Sequence, residues 1–158
     1  MEADRLELAR GRRARVAGAR EAQVAGCLTT DVDFAGMVDH VGLEVSDLDA
    51  SRAFYVGALE PLGIAPIMEF RGACGLGTEG KPWFWICARG RTTSTDVHVA
   101  ISAPDRAAVD RFHEAALAAG GRENGGAGVR EIYHPSYYGA FVLDPDGNNI
   151  EAVTHRPE

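Results

Sequence analysis

Apolar and polar residues alternate in two stretches of the chain, residues 40–45 and 97–102. A period of two turns successive side chains to opposite faces of a β-strand, so each stretch predicts a strand with one apolar face. The apolar faces consist of Val41, Leu43 and Val45 in the first stretch and of Val97, Val99 and Ile101 in the second. The opposite faces carry polar or small residues, including His40 and His98.

A segment with helical spacing of apolar residues follows each predicted strand. The apolar positions are Leu48, Phe54, Tyr55 and Leu59 in the first segment and Val109, Phe112, Ala116 and Leu117 in the second. Ser46 and Asp49 resemble a capping box, and Pro104 suits the first turn of the second helix. Glycine follows each segment, at Gly63 and at Gly120–Gly121, and indicates where the helices end.

The two strand–helix segments are copies of one another. "HVGLEVSDLDASRAFYVGALEPLG" begins at His40 and "HVAISAPDRAAVDRFHEAALAAGG" begins at His98, and eight of 24 positions are identical without a gap. The identical pairs are His40/His98, Val41/Val99, Asp47/Asp105, Ala50/Ala108, Phe54/Phe112, Ala58/Ala116, Leu59/Leu117 and Gly63/Gly121. Such a repeat indicates a duplicated supersecondary unit and fixes the architecture.

Three short strand candidates follow each helix. They lie at residues 64–71, 73–77 and 82–88 in the first unit and at 129–134, 139–144 and 148–155 in the second. The order βαβββ therefore occurs twice, which predicts an α+β fold of two tandem modules forming a mixed sheet curled around a cleft. We expect a single domain at 37–155, with module one at 37–91 and module two at 95–155.

Composition excludes several classes of function. The 158 residues are 46% hydrophobic and carry a net charge of −7, so we expect no nucleic-acid partner, which would need a concentrated basic face. No run of 18 apolar residues occurs, so no membrane span is expected. The three cysteines lack metal-ligand spacing and predict reduced thiols in a cytoplasmic protein.

Residues 1–36 differ from the rest of the chain. Six arginines against one acid, Glu7, lie between Arg5 and Arg20 amid Ala and Gly, without the apolar core of a signal peptide. We expect a flexible Arg/Ala-rich extension. An arm for nucleic acid or a membrane surface is the alternative.

One carboxylate and two imidazoles are candidate metal ligands. Alternation in the last strand places Glu151 and Asn149 on one face, and this face shares the cleft with His98 if the other face covers the helix. The repeat places His40 in the same cleft by pseudo-symmetry. Two histidines and one carboxylate with open coordination positions suit one divalent transition metal: Fe, Ni, Co, Mn or Zn.

The duplication, together with "DHVGLEVSDLDASRAFY" and "GAFVLDPDGNNIEAV", resembles the glyoxalase/bleomycin-resistance/extradiol-dioxygenase (vicinal oxygen chelate) superfamily over residues 37–155. The resemblance implies metal ligands at His40, His98 and Glu151. It also implies chelation of two vicinal substrate oxygens by the metal, which acts as a Lewis acid.

The sequence departs from the four-ligand pattern of glyoxalase I members, which typically carry a glutamate on the last strand of the first module. Aligning "DGNNIE" with "EGKPWF" puts Phe84 at that position, and a shift of one residue puts Trp85 there. Neither side chain binds a metal. The three-ligand pattern that remains resembles extradiol dioxygenases and the thiol transferases that inactivate fosfomycin.

Aromatic residues and one further histidine complete the predicted site. His134 in "YHPSYY" is the candidate proton shuttle, with Tyr137 and Tyr138 as hydrogen-bond donors at the rim. Phe84 and Trp85, with the neighbouring Trp at position 83, would supply an apolar wall against the substrate. The alternatives are an exposed loop imidazole for His134 and ordinary packing roles for the tyrosines and tryptophans.

These observations leave two functional hypotheses. The first is a metal-dependent enzyme, glyoxalase-like or dioxygenase-like, acting on a small vicinally oxygenated substrate, with lyase or isomerase chemistry and ring cleavage both open. The alternative is a metal-free protein of the bleomycin-resistance type that sequesters a small ligand. The family resemblance also implies a homodimer.

Overall fold

In residues 38–157, which the computed structural model describes, the secondary-structure order βαβββ occurs twice. The first module comprises β1 (Val41–Glu44), α1 (Leu48–Leu59), a 3-10 turn (Glu60–Leu62), β2 (Ala65–Glu69), β3 (Ala73–Thr78) and β4 (Lys81–Cys87). The second comprises β5 (His98–Ser102), α2 (Arg106–Ala118), β6 (Arg122–Val129), β7 (Tyr138–Leu143) and β8 (Asn149–Thr154). The prediction of an α+β duplication is confirmed. The predicted extension at 1–36 lies outside the described residues.

Each module forms a four-stranded mixed sheet. The first sheet has the order β1-β4-β3-β2 and the second has the order β5-β8-β7-β6. The first strand of each module pairs in parallel with the last strand, and the remaining pairs are antiparallel. The two sheets therefore have the same topology, and a position in one has a definite counterpart in the other.

One face of each sheet packs against its helix and the other face does not. The helix faces share a single apolar core that includes Phe54, Tyr55, Phe84, Phe112 and Ile150, all essentially without solvent exposure. Because strand side chains alternate, the strand residues on either side of core residues such as Phe84 and Ile150 point to the opposite face of each sheet, here called the open face. The open faces carry the histidines and the glutamate singled out in the sequence.

Both helices begin at an aspartate that the repeat had matched but whose role the sequence did not reveal. Asp47 caps α1, accepting hydrogen bonds from the backbone N–H groups of Asp49 and Ala50, and Asp105 caps α2. The predicted capping box is wrong, because the Ser46 hydroxyl and backbone N–H donate to Asp146 instead. Pro104 likewise precedes the cap rather than lying in the first turn.

The strand predicted at 129–134 is displaced toward the N-terminus in the structure. The observed β6, RENGGAGV, holds few apolar residues, and its pairing with β7 is interrupted by register shifts around Gly125. Gly125 has a φ of +144°, which a residue with a side chain seldom adopts. No hydrophobic alternation marks such a strand, and the adjacent β7 supplies its hydrogen-bond partners.

Among the described residues, no helix has the length and apolar character required to cross a membrane. Cys74 and Cys87 are free thiols in buried positions, and burial raises the pKa of both. Cys27 lies outside the described residues.

Candidate metal and ligand site

His98 and Glu151 meet on the open face of the second sheet. Nε2 of His98 lies 2.8 Å from Oε2 of Glu151, and Ala100 faces Glu151 across the parallel β5–β8 pair. The Glu151 side chain is 1% exposed, whereas that of His98 is 53% exposed. The strand parity inferred from the sequence thus places this carboxylate beside the histidine of the same module.

Tyr137 holds the second oxygen of the same carboxylate. Its hydroxyl donates a hydrogen bond to Oε1 of Glu151. Burial, the hydrogen bond and the negative charge of Glu151 raise the pKa of Tyr137 to about 12. Tyr137 therefore remains a neutral hydrogen-bond donor at physiological pH and fixes the orientation of the carboxylate.

His40 lies just before β1 and is largely exposed. Its Nδ1 is 2.9 Å from Oδ1 of Asp39, whose other oxygen accepts from Nζ of Lys81 at 2.7 Å. The hydrogen bond from His40, followed by the bond and charge of Lys81, lowers the pKa of Asp39. Because Nδ1 of His40 is hydrogen-bonded to Asp39, Nε2 is the ring atom that can bind a ligand or a metal.

The two repeat histidines border a common cavity of about 390 Å³, here called the junction cavity. Residues from both modules line it, including Trp83 and Ala100. In the part of the chain that the structure describes, however, no three His, Cys, Asp or Glu side chains are gathered closely enough to hold a metal. The structure thus pairs His98 with Glu151 and leaves His40 apart from them.

The pair itself fits a divalent ion. Ligand atoms at about 2.1 Å from a metal and at right angles lie about 3 Å apart, close to the His98–Glu151 separation. A buried carboxylate also needs a compensating positive charge. Apart from His98, the contacts of Glu151 among the described residues are neutral, so a cation at this point would supply that charge.

Trp85 occupies in the first sheet the position that Glu151 occupies in the second. Gly42 faces Trp85 across the β1–β4 pair, just as Ala100 faces Glu151. The structure thereby resolves the two alignments that the sequence left open. Phe84 lies on the helix face with no exposure, its ring 4.9 Å from that of Tyr55. The predicted contact of Phe84 with a substrate is therefore wrong.

Tyr138 also points away from the open face. Its hydroxyl donates to Oδ1 of Asp110 on α2 at 2.7 Å, and the Arg106 guanidinium lies over its ring. Alternation in β7 allows only one of two consecutive residues to face the cleft, and that side is taken by Gly139 and Phe141. The prediction that the Tyr138 hydroxyl lies at the rim of the cleft is therefore wrong.

His134 lies in the loop before β7 and is exposed. Its Nδ1 accepts a hydrogen bond from the backbone N–H of Ser136 at 3.1 Å. Its ring lies 6.0 Å from that of His155, which lies 5.0 Å from the ring of Tyr137. The rings of His155 and Tyr137 thus lie between His134 and Glu151.

A second cavity, of about 630 Å³, occupies the open face of the first sheet and is here called the first-sheet cavity. Its lining includes His40, Phe70, Arg71, Trp85, Cys87 and Arg89. Neither arginine belongs to the site predicted from the sequence. Strand parity could have predicted Arg89, because alternation puts it on the same side of the chain as positions 85 and 87. Arg71 lies in the β2–β3 turn, where no periodic pattern applies.

Glu44 stabilises the rim of this cavity. It is 8% exposed, and its Oε1 accepts from the backbone N–H groups of Arg89 and Arg91, while Oε2 is 3.6 Å from Nε of Arg89. Burial raises the pKa of Glu44, but these hydrogen bonds and the two arginine charges outweigh burial and lower it overall.

Two tandem βαβββ modules, each with one face turned away from its helix, define the class of glyoxalase-like folds. The model of the Glyoxalase/Bleomycin resistance protein/Dioxygenase superfamily matches residues 37–152, and the chain belongs to this superfamily.

Solved structures agree with this assignment. A glyoxalase/bleomycin resistance protein from Albidiferax ferrireducens T118 is 29% identical, with a TM-score of 0.68 over 75% of this chain and 98% of that one. A glyoxalase-related enzyme from Fulvimarina pelagi is 22% identical, with a TM-score of 0.57 over 73% and 86%.

Glyoxalase I from Zea mays is 21% identical, with a TM-score of 0.57 over 77% of this chain and 45% of that chain. The Fulvimarina and maize structures support the fold alone. No curated protein matches the chain significantly.

Proposed function

We propose that the protein is a divalent-metal-dependent enzyme, glyoxalase-like or dioxygenase-like, acting on a small vicinally oxygenated substrate. One observation carries the proposal: Nε2 of His98 and Oε2 of Glu151 lie 2.8 Å apart, with the carboxylate buried. Membership of the superfamily supports a small-molecule ligand.

His98 and Glu151 would provide two ligands and His40 the third, through Nε2. The bound ion would supply Lewis acidity to two neighbouring oxygens of the substrate. Tyr137 keeps Oε1 of Glu151 engaged, so that Oε2 remains directed at the position beside His98. His134, on the exposed loop before β7, is the candidate that would carry a proton between substrate and solvent.

We further propose that the enzyme is a cytoplasmic homodimer. His40 is kept apart from His98 and Glu151 within one chain, so a second copy is one source of the third ligand. Large exposed apolar side chains, Met68 and Phe70 in and just after β2 and Ile132 and Tyr133 in the β6–β7 loop, are suited to burial between copies.

The test is metal content. The full chain, produced without an affinity tag under metal-replete growth, should contain about one equivalent of Fe, Ni, Co, Mn or Zn by elemental analysis. Glu151→Ala and His98→Ala should each lose most of it, whereas Glu123→Ala, a change of the same size at an exposed carboxylate, should not. A metal-free parent protein would refute the proposal.

A metal-free protein that sequesters a ligand is the second candidate. The first-sheet cavity favours this candidate, because Trp85 stands where a metal-ligating glutamate could stand and gives the cavity an aromatic surface. Tight binding of an aromatic ligand by a metal-free protein, without turnover, would support this candidate against the enzyme.

A further inference from the structure

The first-sheet cavity has a positive lining. Arg71 and Arg89 border it, and no acidic side chain is among the residues that line it, although the chain as a whole carries a net charge of −7. Glu44, just outside the lining, directs one oxygen at two backbone N–H groups and the other at Arg89. Arg89 is therefore partly neutralised, and the main uncompensated charge belongs to Arg71.

Arg71 is positioned without an acidic partner in the described residues. Its guanidinium lies 5.1 Å from the centre of the Phe70 ring, and the nearby Glu69 is engaged by Arg52 at 2.9 Å. Arg71 also has a φ of +42°, a backbone conformation that side-chain-bearing residues seldom adopt. A charged residue in such a turn, directed at a cavity, is available for an anionic ligand.

Trp85 supplies a flat apolar surface in the same cavity. A Cβ added at Gly75 would lie 2.9 Å from the Cζ2 and Cη2 atoms of Trp85, so the indole lies directly against the β3 backbone. A Cβ added at Gly42, on β1, would lie 3.8 Å from the Cβ of Trp85 and within 4 Å of no indole atom, so the indole lies over β3 rather than over β1. The indole therefore covers the sheet, and its outer side borders the cavity, a geometry suited to stacking of a planar group.

From these contacts we infer that the first-sheet cavity binds a planar, conjugated carboxylate. The flat body stacks on Trp85 and the carboxylate pairs with Arg71, which can form a bidentate contact. The cavity of about 630 Å³ accommodates a ligand of this kind. As a statement about substrate class the inference rests on the proposed function, whereas as a statement about binding it requires no metal.

Calorimetric titration of the metal-stripped full chain with cinnamate, and with neutral cinnamamide as the isosteric control, tests the inference. Cinnamate should bind at millimolar concentrations or below, at least about tenfold more tightly than cinnamamide, because the amide cannot form the charged pair. Binding of cinnamate should weaken with added salt. Equal affinities for the two compounds, or no binding of cinnamate at millimolar concentrations, would overturn the inference.

Variants locate the site. Arg71→Gln should reduce cinnamate affinity about tenfold or more, and Arg111→Gln, the same change on the exposed side of α2, should not. Arg71→Asn serves as a second variant, since Asn accepts a positive φ more readily and so preserves the turn. Unchanged affinity in a folded Arg71 variant would contradict the assignment.

Two further variants separate this inference from the metal proposal. His98→Ala and Glu151→Ala remove proposed metal ligands on the second sheet and should leave cinnamate affinity unchanged. Loss of metal with retained cinnamate binding supports both ideas. A metal-free parent that still discriminates cinnamate from cinnamamide refutes the metal proposal alone.

Discussion

Trp85 and Glu151 are equivalent residues in the two copies of the module. Each lies on the last strand of its sheet, opposite the second residue after the repeat histidine, Gly42 in one case and Ala100 in the other. Duplication has thus given one sheet an aromatic platform and the other a carboxylate. The same topology therefore supports a cavity with an aromatic surface and two arginines on the first sheet, and a candidate pair of metal ligands on the second sheet.

Gly75→Ala should displace the Trp85 ring. The new methyl group would meet the indole and Pro82 at 2.9 Å, which is too close for either to remain in place. We expect a loss of about 1–3 kcal/mol in the free energy of unfolding. Urea denaturation measures this loss, and tryptophan emission in a Trp83→Phe background reports the displaced ring.

The control for that change is Gly126→Ala, where the nearest atom is 4.0 Å away, in His113. It should leave both stability and tryptophan emission almost unchanged. Equal effects of the two glycine substitutions would contradict the close contact between Gly75 and Trp85.

Tyr137→Phe should weaken metal binding by about 10–100-fold, because it removes the hydrogen bond that orients the Glu151 carboxylate. Competition with a metal-binding dye measures the affinity. Tyr133→Phe is the matched change, since Tyr133 packs against Tyr137 at 5.1 Å and is 64% exposed. Tyr133→Phe should have little effect, and equal losses in the two variants would argue against a role for the Tyr137 hydroxyl.

Tyr55→Phe should lower the free energy of unfolding by about 1.5–3 kcal/mol. The Tyr55 hydroxyl donates to Oδ2 of the buried Asp144 at 2.6 Å, and its loss leaves a buried carboxylate with one donor fewer. Denaturant unfolding measures the change. Tyr138→Phe removes a bond to the exposed Asp110 and should cost less.

Mixing two inactive variants tests whether a second copy provides His40. His40→Ala and Glu151→Ala should each bind little metal alone. If the ligands come from different chains, refolding an equimolar mixture should restore about a quarter of the parental sites, because half the dimers are mixed and each contains one intact site.

No recovery in the mixture, with a single-chain mass from light scattering, would place all three ligands in one chain or eliminate His40 as a ligand. The two outcomes differ in the metal content of the His40→Ala variant, which falls below that of the parent protein only in the first.

Glu44→Gln should lower the thermal unfolding midpoint at pH 7. The pKa of Glu44 in the folded protein is lower than its ordinary value of 4.5. The ionised carboxylate therefore stabilises the fold above pH 4.5, and this stabilisation is lost as the pH falls through the pKa of the folded state. The difference between variant and parent should therefore shrink below about pH 4.5. Glu131→Gln, at an exposed loop position, should show no such dependence.

The sequence by itself determined the duplication, the strand parity and the identity of the polar open-face residues. Parity and repeats are local properties, set by the period of a strand and by the gapless match from His40 to Gly63. They placed Glu151 beside His98 correctly. They also placed an aromatic residue, Phe84 or Trp85, where glyoxalase I members carry a fourth ligand.

Only the tertiary structure decided between Phe84 and Trp85, since a shift of one residue reverses every side chain in a strand and strand pairing alone fixes that register. Strand pairing likewise excluded Tyr138, selected Tyr137 and formed the glycine-rich β6, which has no apolar pattern of its own. The separation of His40 from His98 and Glu151 also depends on how the modules pack. That packing arises from contacts between residues distant in the chain, which no local period encodes.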